Sequence, residues 1–377
     1  MAEAFKNLIN ATLVQQAARC LVQVAPEFDA PGFSRLACDG LESLEMKGRA
    51  LHICAALQAT MPADFLRAAG IVEAALAPPE PGEAMAQPHG LTEGLRGWIL
   101  WPVGEYIARC GLAHPARSLQ SLHALTQRFT AEFAIRPFIE HHSDLSFATL
   151  RRWVDDDSAH VRRLVSEGSR PRLPWGQQLK ALIRDPSPSL PLLRALQDDA
   201  SRYVRRSVAN HLNDIAKDHP REIAQWLKLH LPQASAERRA LLKHASRTLI
   251  KAGDPAVLKA WGLGGNFAGQ ALLKLTPTRV RLGGQVRLSL NLQSRSKRAQ
   301  SLAIDYTVHH VKADGSTSAK VFKSWLLHLP ALGSKQLKKS HSMRLITTRR
   351  YYAGQHKVTV HINGQVLAES SFQLLMP

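Results

Sequence analysis

From residue 1 to about 262, apolar side chains recur three and four positions apart, the spacing of one buried helix face. Start signals divide the stretch into separate helices. DPSPSLPLLRALQ from Asp185, DHPREIAQWLKLHL from Asp218 and GDPAVLKAW from Gly253 each place Asp or Ser with Pro where a helix begins. The Pro/Gly-rich segment APPEPGEAMAQPHG, Ala77 to Gly90, predicts a surface loop between helices. After Trp261 the period changes to two. RVRLGGQVRLSLNL, SLAIDYTVHHV, KVFKSWLLHL and KVTVHINGQVLAESSFQLL alternate apolar with polar residues, with turns at Ala313 to Ser316 and at Asn363-Gly364. About 105 residues of such short strands suit a small immunoglobulin-like sandwich.

An internal repeat gives the helical part its architecture. DDDSAHVRRLVSEG from Asp155 matches QDDASRYVRRSVAN from Gln197 at Asp156/Asp199, Val161/Val204, Arg162/Arg205, Arg163/Arg206 and Val165/Val208, a spacing of 43 residues. That period falls within the roughly 40 to 47 residues of HEAT-type helical pairs. A weaker upstream copy aligns Arg128 and Glu132 with Arg163 and Glu167, and ERRALLKHA from Glu237 is a candidate downstream copy. The expected fold is therefore mainly α. A HEAT-like helical-repeat solenoid over residues 1–264 is followed by a small all-β immunoglobulin-like sandwich over 270–377, each repeat burying its apolar face against its neighbours.

Charge narrows the partner. The 377-residue chain carries a net +19, distributed unevenly: residues 1–145 hold 11 Lys/Arg against 15 Asp/Glu, 146–270 hold 21 against 12, and 271–377 hold 17 against 3. A charge that grows along the chain fits one face meeting a polyanion, and nucleic acid is the leading candidate. Anionic lipid is disfavoured, because no basic amphipathic helix with an aromatic apolar face is evident. Four cysteines (Cys20, Cys38, Cys54, Cys110) show no CxxC spacing or pairing pattern, and the N-terminus has neither a signal-peptide core nor a membrane-length apolar run. These features lead to the expectation of a cytoplasmic protein with reduced thiols and no metal site.

The stretch LVSEGSRPRLPWG, Leu164 to Gly176, sets Glu167 beside Arg170 and Arg172, with Arg163 just upstream, and carries Trp175. Helical phasing puts Arg163 and Glu167 on one face, their counterparts Arg206 and Asn210 on the next repeat, and Asp214 one turn beyond. Glu132, Glu167 and Asp214 are thus expected to line one concave surface framed by arginines. Taken singly, Arg163/Glu167 and Arg128/Glu132 read as ordinary i,i+4 pairs contributing about 0.2–0.5 kcal/mol each. Their recurrence, together with an Asp214 that has no arginine four residues before it, favours a functional acid cluster. A carboxylate kept in a basic groove suits a cation formed on the substrate, as when an N-glycosidic bond breaks and the sugar becomes oxocarbenium-like. Trp175, flanked by RPR and GQQ, is expected to stack on nucleic acid, whereas Trp98, Trp101, Trp153, Trp226 and Trp261 are assigned to packing between repeats.

AEFAIRPFI (from Ala131), VRRLVSEGSRPRLPWG (from Val161), DDASRYVRRSVANHLNDIAKDHP (from Asp198) and, more loosely, ESLEMKGRALHICAAL (from Glu42) resemble a known family over nearly the whole chain. It is the HEAT-like-repeat DNA glycosylases that repair alkylated bases, in the AlkC branch with a C-terminal immunoglobulin-like domain. The resemblance implies that Asp214 is the principal catalytic carboxylate, with Glu167 and Glu132 beside the lesion and the waiting water. It further implies that Trp175 packs against the damaged nucleotide and that Arg163 contacts DNA. Arg170, Arg172 and Arg206 are expected contacts of the same basic groove. Cationic N3-methyl bases, 3-methyladenine and 3-methylcytosine, are the implied substrates, in a bacterial enzyme needing no metal or cofactor. The partner is then double-stranded DNA containing alkylated bases, met by a monomer. The alternatives are a non-catalytic HEAT-repeat adaptor and a nuclease or bifunctional lyase.

Overall fold

The computed structural model describes residues 5–79, 93–263, 265–346 and 349–376, so the loop expected up to Gly90 lies almost wholly outside the described residues. The helices are α1 (Ala11–Val24), α2 (Ala30–Cys38), α3 (Met46–Thr60), α4 (Phe65–Ala74), α5 (Leu100–Cys110), α6 (Pro115–Thr126), α7 (Arg136–His141) and α8 (Ser143–Trp153). They continue with α9 (Ala159–Gly168), α10 (Lys180–Arg184), α11 (Leu190–Leu196), α12 (Arg202–Asp218), α13 (Pro220–His230), α14 (Ala236–Ala245), α15 (Arg247–Ala252) and α16 (Pro255–Ala260). The strands are β1 (Gly269–Thr276), β2 (Arg279–Arg281), β3 (Gln285–Ser294), β4 (Gln300–Val311), β5 (Thr317–Leu329), β6 (Ser334–Ser342), β7 (Gly354–Ile362) and β8 (Gln365–Leu375).

The start signals act largely as the sequence implies. Proline occupies the first turn of α11, α13 and α16, where its missing N–H costs no hydrogen bond, and the Asp254 side chain accepts from the Val257 N–H. Asp218 departs from expectation: it ends α12, and His219 takes the cap position of α13.

Packing divides the chain into two units, Met1–Asp218 with Ser235–Ala245, and His219–Ala234 with Ser246–Pro377. In the first unit α3 packs against α5, α9 against α12 and α12 against α14. The apolar positions shared by the two repeat copies, Val161/Val204 and Val165/Val208, are all fully buried, joined by Leu164, Leu212 and Ile215. Each such side chain contributes about 1.5–3 kcal/mol, so these few residues fix how α9 lies on α12.

In the second unit α13 packs on α16, and the strands form two sheets, ordered β1-β3-β6 and β2-β8-β7-β4-β5. Pairing is antiparallel except between β2 and β8. Period-two alternation sends Val286, Leu288, Leu290 and Leu292 of β3 inward onto Val358, Val360, Phe372 and their neighbours, which gives the sandwich its core. Asn363 and Gly364 both take left-handed φ (+49° and +84°), as a two-residue hairpin turn between β7 and β8 requires.

Candidate active site

The three carboxylates singled out by sequence come together, two from helices and one from a turn. Glu167 sits on α9 and Asp214 on α12, while Glu132 lies in the turn leading into α7. The upstream copy of the repeat is therefore corrected. Arg128 does not pair with Glu132; it donates to the Ala77 and Ala124 carbonyls, because the chain has left helical geometry between the two residues.

Glu132 instead takes Arg163 from α9. Arg163 Nη2 lies 2.7 Å from Glu132 Oε2 and 3.9 Å from Glu167 Oε2, so the i,i+4 contact is the weaker one. Thr130 ties the pair together, its hydroxyl donating to Glu132 Oε2 (2.7 Å) and accepting from Arg163 Nη1 (3.1 Å). The Arg163 guanidinium also lies 5.0 Å from the centre of the Tyr203 ring, a cation–π distance.

Arg170 is the bridge. Its Nη1 contacts Glu167 Oε1, while its Nε and Nη2 both reach Asp214 Oδ2 at 2.8 Å. Lys217, one turn on from Asp214, closes on Oδ1 at 2.8 Å, and Ser207 donates to Glu167 Oε2 at 2.6 Å. Glu132, Glu167 and Asp214 are thus balanced by Arg163, Arg170 and Lys217. Burial by itself would raise the Glu167 carboxyl, but the charges of Arg163 and Arg170 outweigh it and hold the group below the usual range. Burial likewise works against Arg163 and Arg170, and their acidic neighbours reverse it, so both are held more firmly protonated than a free arginine. Asp214 is only 2% exposed.

Trp175 follows five residues after Arg170 and is 63% exposed, with φ at +63°, a left-handed conformation that strains a bulky residue. Lys47 Nζ holds its carbonyl at 3.2 Å. Its ring runs parallel to that of Trp101 (3°, centroids 6.4 Å apart), which in turn stacks on Phe133 at 4.9 Å. The exposed ring is therefore backed by an aromatic wall. Trp101 and Trp226 are buried as expected; Trp98, Trp153 and Trp261 are only half-buried.

The remaining arginines differ. Arg172 makes a two-pronged pair with Asp218 at 2.8 Å. Arg206 is exposed and faces a groove between α12 and α14 shared with Arg202, Glu237 and His244, where no ion pair reaches it among the described residues. No cluster of His, Cys, Asp and Glu among the described residues could hold a metal ion.

Comparisons with known proteins place the chain in a family. Residues 270–376 match the C-terminal Ig-like domain family of the uncharacterised protein YhaZ. YhaZ of Bacillus subtilis (strain 168) is 37% identical over 376 residues, covering 98% of this chain and 99% of that protein. The alkylpurine DNA glycosylase AlkC of Pseudomonas fluorescens, solved bound to DNA containing an abasic site analogue, superposes with a TM-score of 0.88 at 34% identity, over 99% of this chain and 100% of that one. The chain belongs to the AlkC family.

Several groups in this AlkC-family site were not singled out from the sequence. Ser207 and Lys217 share the α12 face with Asp214, seven residues before and three after it, so helical phasing would have found them. Thr130 and Tyr203 carry no such signal. Arg136, the one basic residue inside the mostly apolar run AEFAIRPFI, did carry one: it is fully buried, and burial lowers it to about 10, with Arg170 adding to the effect and Glu132, Asp214 and Glu167 opposing it.

Proposed function

We propose that the protein is a monofunctional DNA glycosylase that hydrolyses the N-glycosidic bond of cationic N3-alkylated bases, 3-methyladenine and 3-methylcytosine. The reading is carried by the convergence of Glu132, Glu167 and Asp214 in one arginine-bridged network beside the exposed Trp175. An alkylated base already carries positive charge and departs neutral, so no general acid is needed. Positive charge then builds on the deoxyribose, and a fixed carboxylate in a water-poor site stabilises it.

Asp214 is the group for that role. A carboxylate offers about four lone-pair sites. Arg170 occupies Oδ2 twice and Lys217 occupies Oδ1 once, leaving a position on Oδ1 to orient water. The clamp holds the group immobile, so little reorganisation is needed as the sugar charges. Glu132 Oε1, which receives no hydrogen bond among the described residues, and Glu167 complete the acidic surround. Trp175 packs against the damaged nucleotide.

Phosphate contact belongs to Arg206, with Arg202 beside it, to Arg163 of α9, and to Arg172 of the loop where it exchanges Asp218 for DNA; Arg170, expected there too, stays on Glu167 and Asp214. We assign base excision to residues 1–264, acting as a monomer, and additional DNA contact to the basic sandwich, residues 270–377. Incubation with methylated duplex DNA, with chromatography of released bases, tests the reading. It requires 3-methyladenine and 3-methylcytosine above the protein-free control. Release of neither would sink it, and strand breaks without added base would point to a lyase or nuclease.

A further inference from the structure

Arg136 takes no part in the acid network, yet it is 0% exposed and no carboxylate pairs with it among the described residues. Removing a guanidinium from water costs several kcal/mol, even with partners. What it holds explains its retention. Nη1 donates to the Gly168 carbonyl (2.8 Å) and Nε to the Gln177 carbonyl (2.6 Å), while Nη2 has no partner.

Those two carbonyls are the two ends of the loop that carries Arg170, Arg172 and Trp175. Few main-chain bonds hold that loop: Ser169 and Arg170 N–H to Glu167 O, Gly176 N–H to Leu173 O and Leu179 N–H to Pro171 O. The first end comes within reach only because residue 168 is glycine, where a Cβ would stand 2.6 Å from a methyl of Ile135. The second end is also tied to α7 through Gln177 and Glu140. A planar fork spans both carbonyls at once, which a compact ammonium does not.

We propose that Arg136 is a positioning residue for base excision. By fixing both ends of the 168–177 loop it sets Arg170 between Glu167 and Asp214 and aims Trp175 at the lesion, an inference that rests on the glycosylase reading above. A misplacement of about 1 Å at a reacting centre can cost about 100-fold in rate. Full-length Arg136→Met should therefore lose about 100-fold in single-turnover base release from methylated duplex, while affinity for undamaged duplex stays within about threefold.

Adding Trp175→Ala to Arg136→Met should slow release by no more than about twofold further, since both changes remove the same aim. Hydrogen exchange of amides 169–176 should quicken about tenfold or more without a matching change in α12. Should Arg136→Met not fold, Arg136→Lys, which keeps the charge, carries the same measurements with smaller losses. A folded variant with wild-type release, losses that multiply in the double variant, or unchanged exchange at 169–176 would each overturn the proposal. If wild-type protein released no base at all, the glycosylase reading would fall, and the exchange data would still decide whether Arg136 holds the loop.

Discussion

In the helical unit Glu132, Glu167 and Asp214 each sit against an arginine or lysine, at 2.5–2.8 Å. In the sandwich, strand register places Lys274, Arg287 and Lys338 on the outward face of the three-stranded sheet, with no ion pair to any of them among the described residues. The first arrangement spends its charge on geometry. Paired, buried groups are fixed in place and feel one another through a medium that screens poorly. The second keeps its charge free, and exposed cations attract a polyanion over about a Debye length while specifying little. One region fixes its charges at a point, and the other leaves them spread and exposed.

The largest expected effect tests the first half of that contrast. Asp214→Asn should lower single-turnover base release about a thousandfold, the scale of losing one preorganised electrostatic group, while duplex binding survives. Equal activity of the variant would leave the compensated network without a catalytic role. A non-catalytic adaptor would show this indifference.

Acid should strain both regions through buried histidines. His211, in the helical unit, donates from Nδ1 to the Ser166 carbonyl and is pushed down to about 4 by burial; His341, between the sheets, is also pushed down to about 4 by burial. Below pH 6.5 the unfolded chain takes up protons that the folded chain refuses. Their stabilisation is therefore complete above that pH and fades as pH falls toward 4, by about 3 kcal/mol for each residue. Calorimetric melting across pH 4–7 would show it, and His341→Gln should flatten the slope. A midpoint that does not move would remove the claim.

Trp175→Ala should cost about 1–3 kcal/mol of interaction with the damaged strand, the range of a stacked aromatic. The loss belongs with lesion DNA more than with undamaged duplex, and an equal loss for both would make Trp175 a general contact. The mildest change is expected in the sandwich. Lys274→Gln, Arg287→Gln and Lys338→Gln together should flatten the salt dependence of binding, by about 0.9 in log–log slope for each phosphate no longer neutralised. Base release under saturating protein should stay as it was. An unchanged slope would remove DNA binding from that sheet.

How much of this was legible in the sequence depended on whether a property is local. Periodicity of three to four and then of two gave helices followed by strands, because side-chain burial along one element repeats with that element's own geometry. The Asn363-Gly364 turn and the cap at Asp254 were legible for the same reason. Glu167 and Asp214 could be placed on facing helices from the 43-residue repeat, and the charge gradient was arithmetic.

Partner choice was not local. Arg163 passes over Glu167, four residues away, for Glu132, 31 residues upstream, and Arg170 reaches Asp214 across 44 residues. Which acid an arginine meets depends on the distance between elements and on the rotamers that packing allows, and neither is written in helical phase. The same holds for Arg136, whose partners are two main-chain carbonyls. Sequence determined which residue types this chain could bring to a site. Only the packing of α9 on α12, and of α9 against the turn before α7, decided which of them touch, because an ion pair forms where backbones bring charges within about 4 Å and not where charges are merely present.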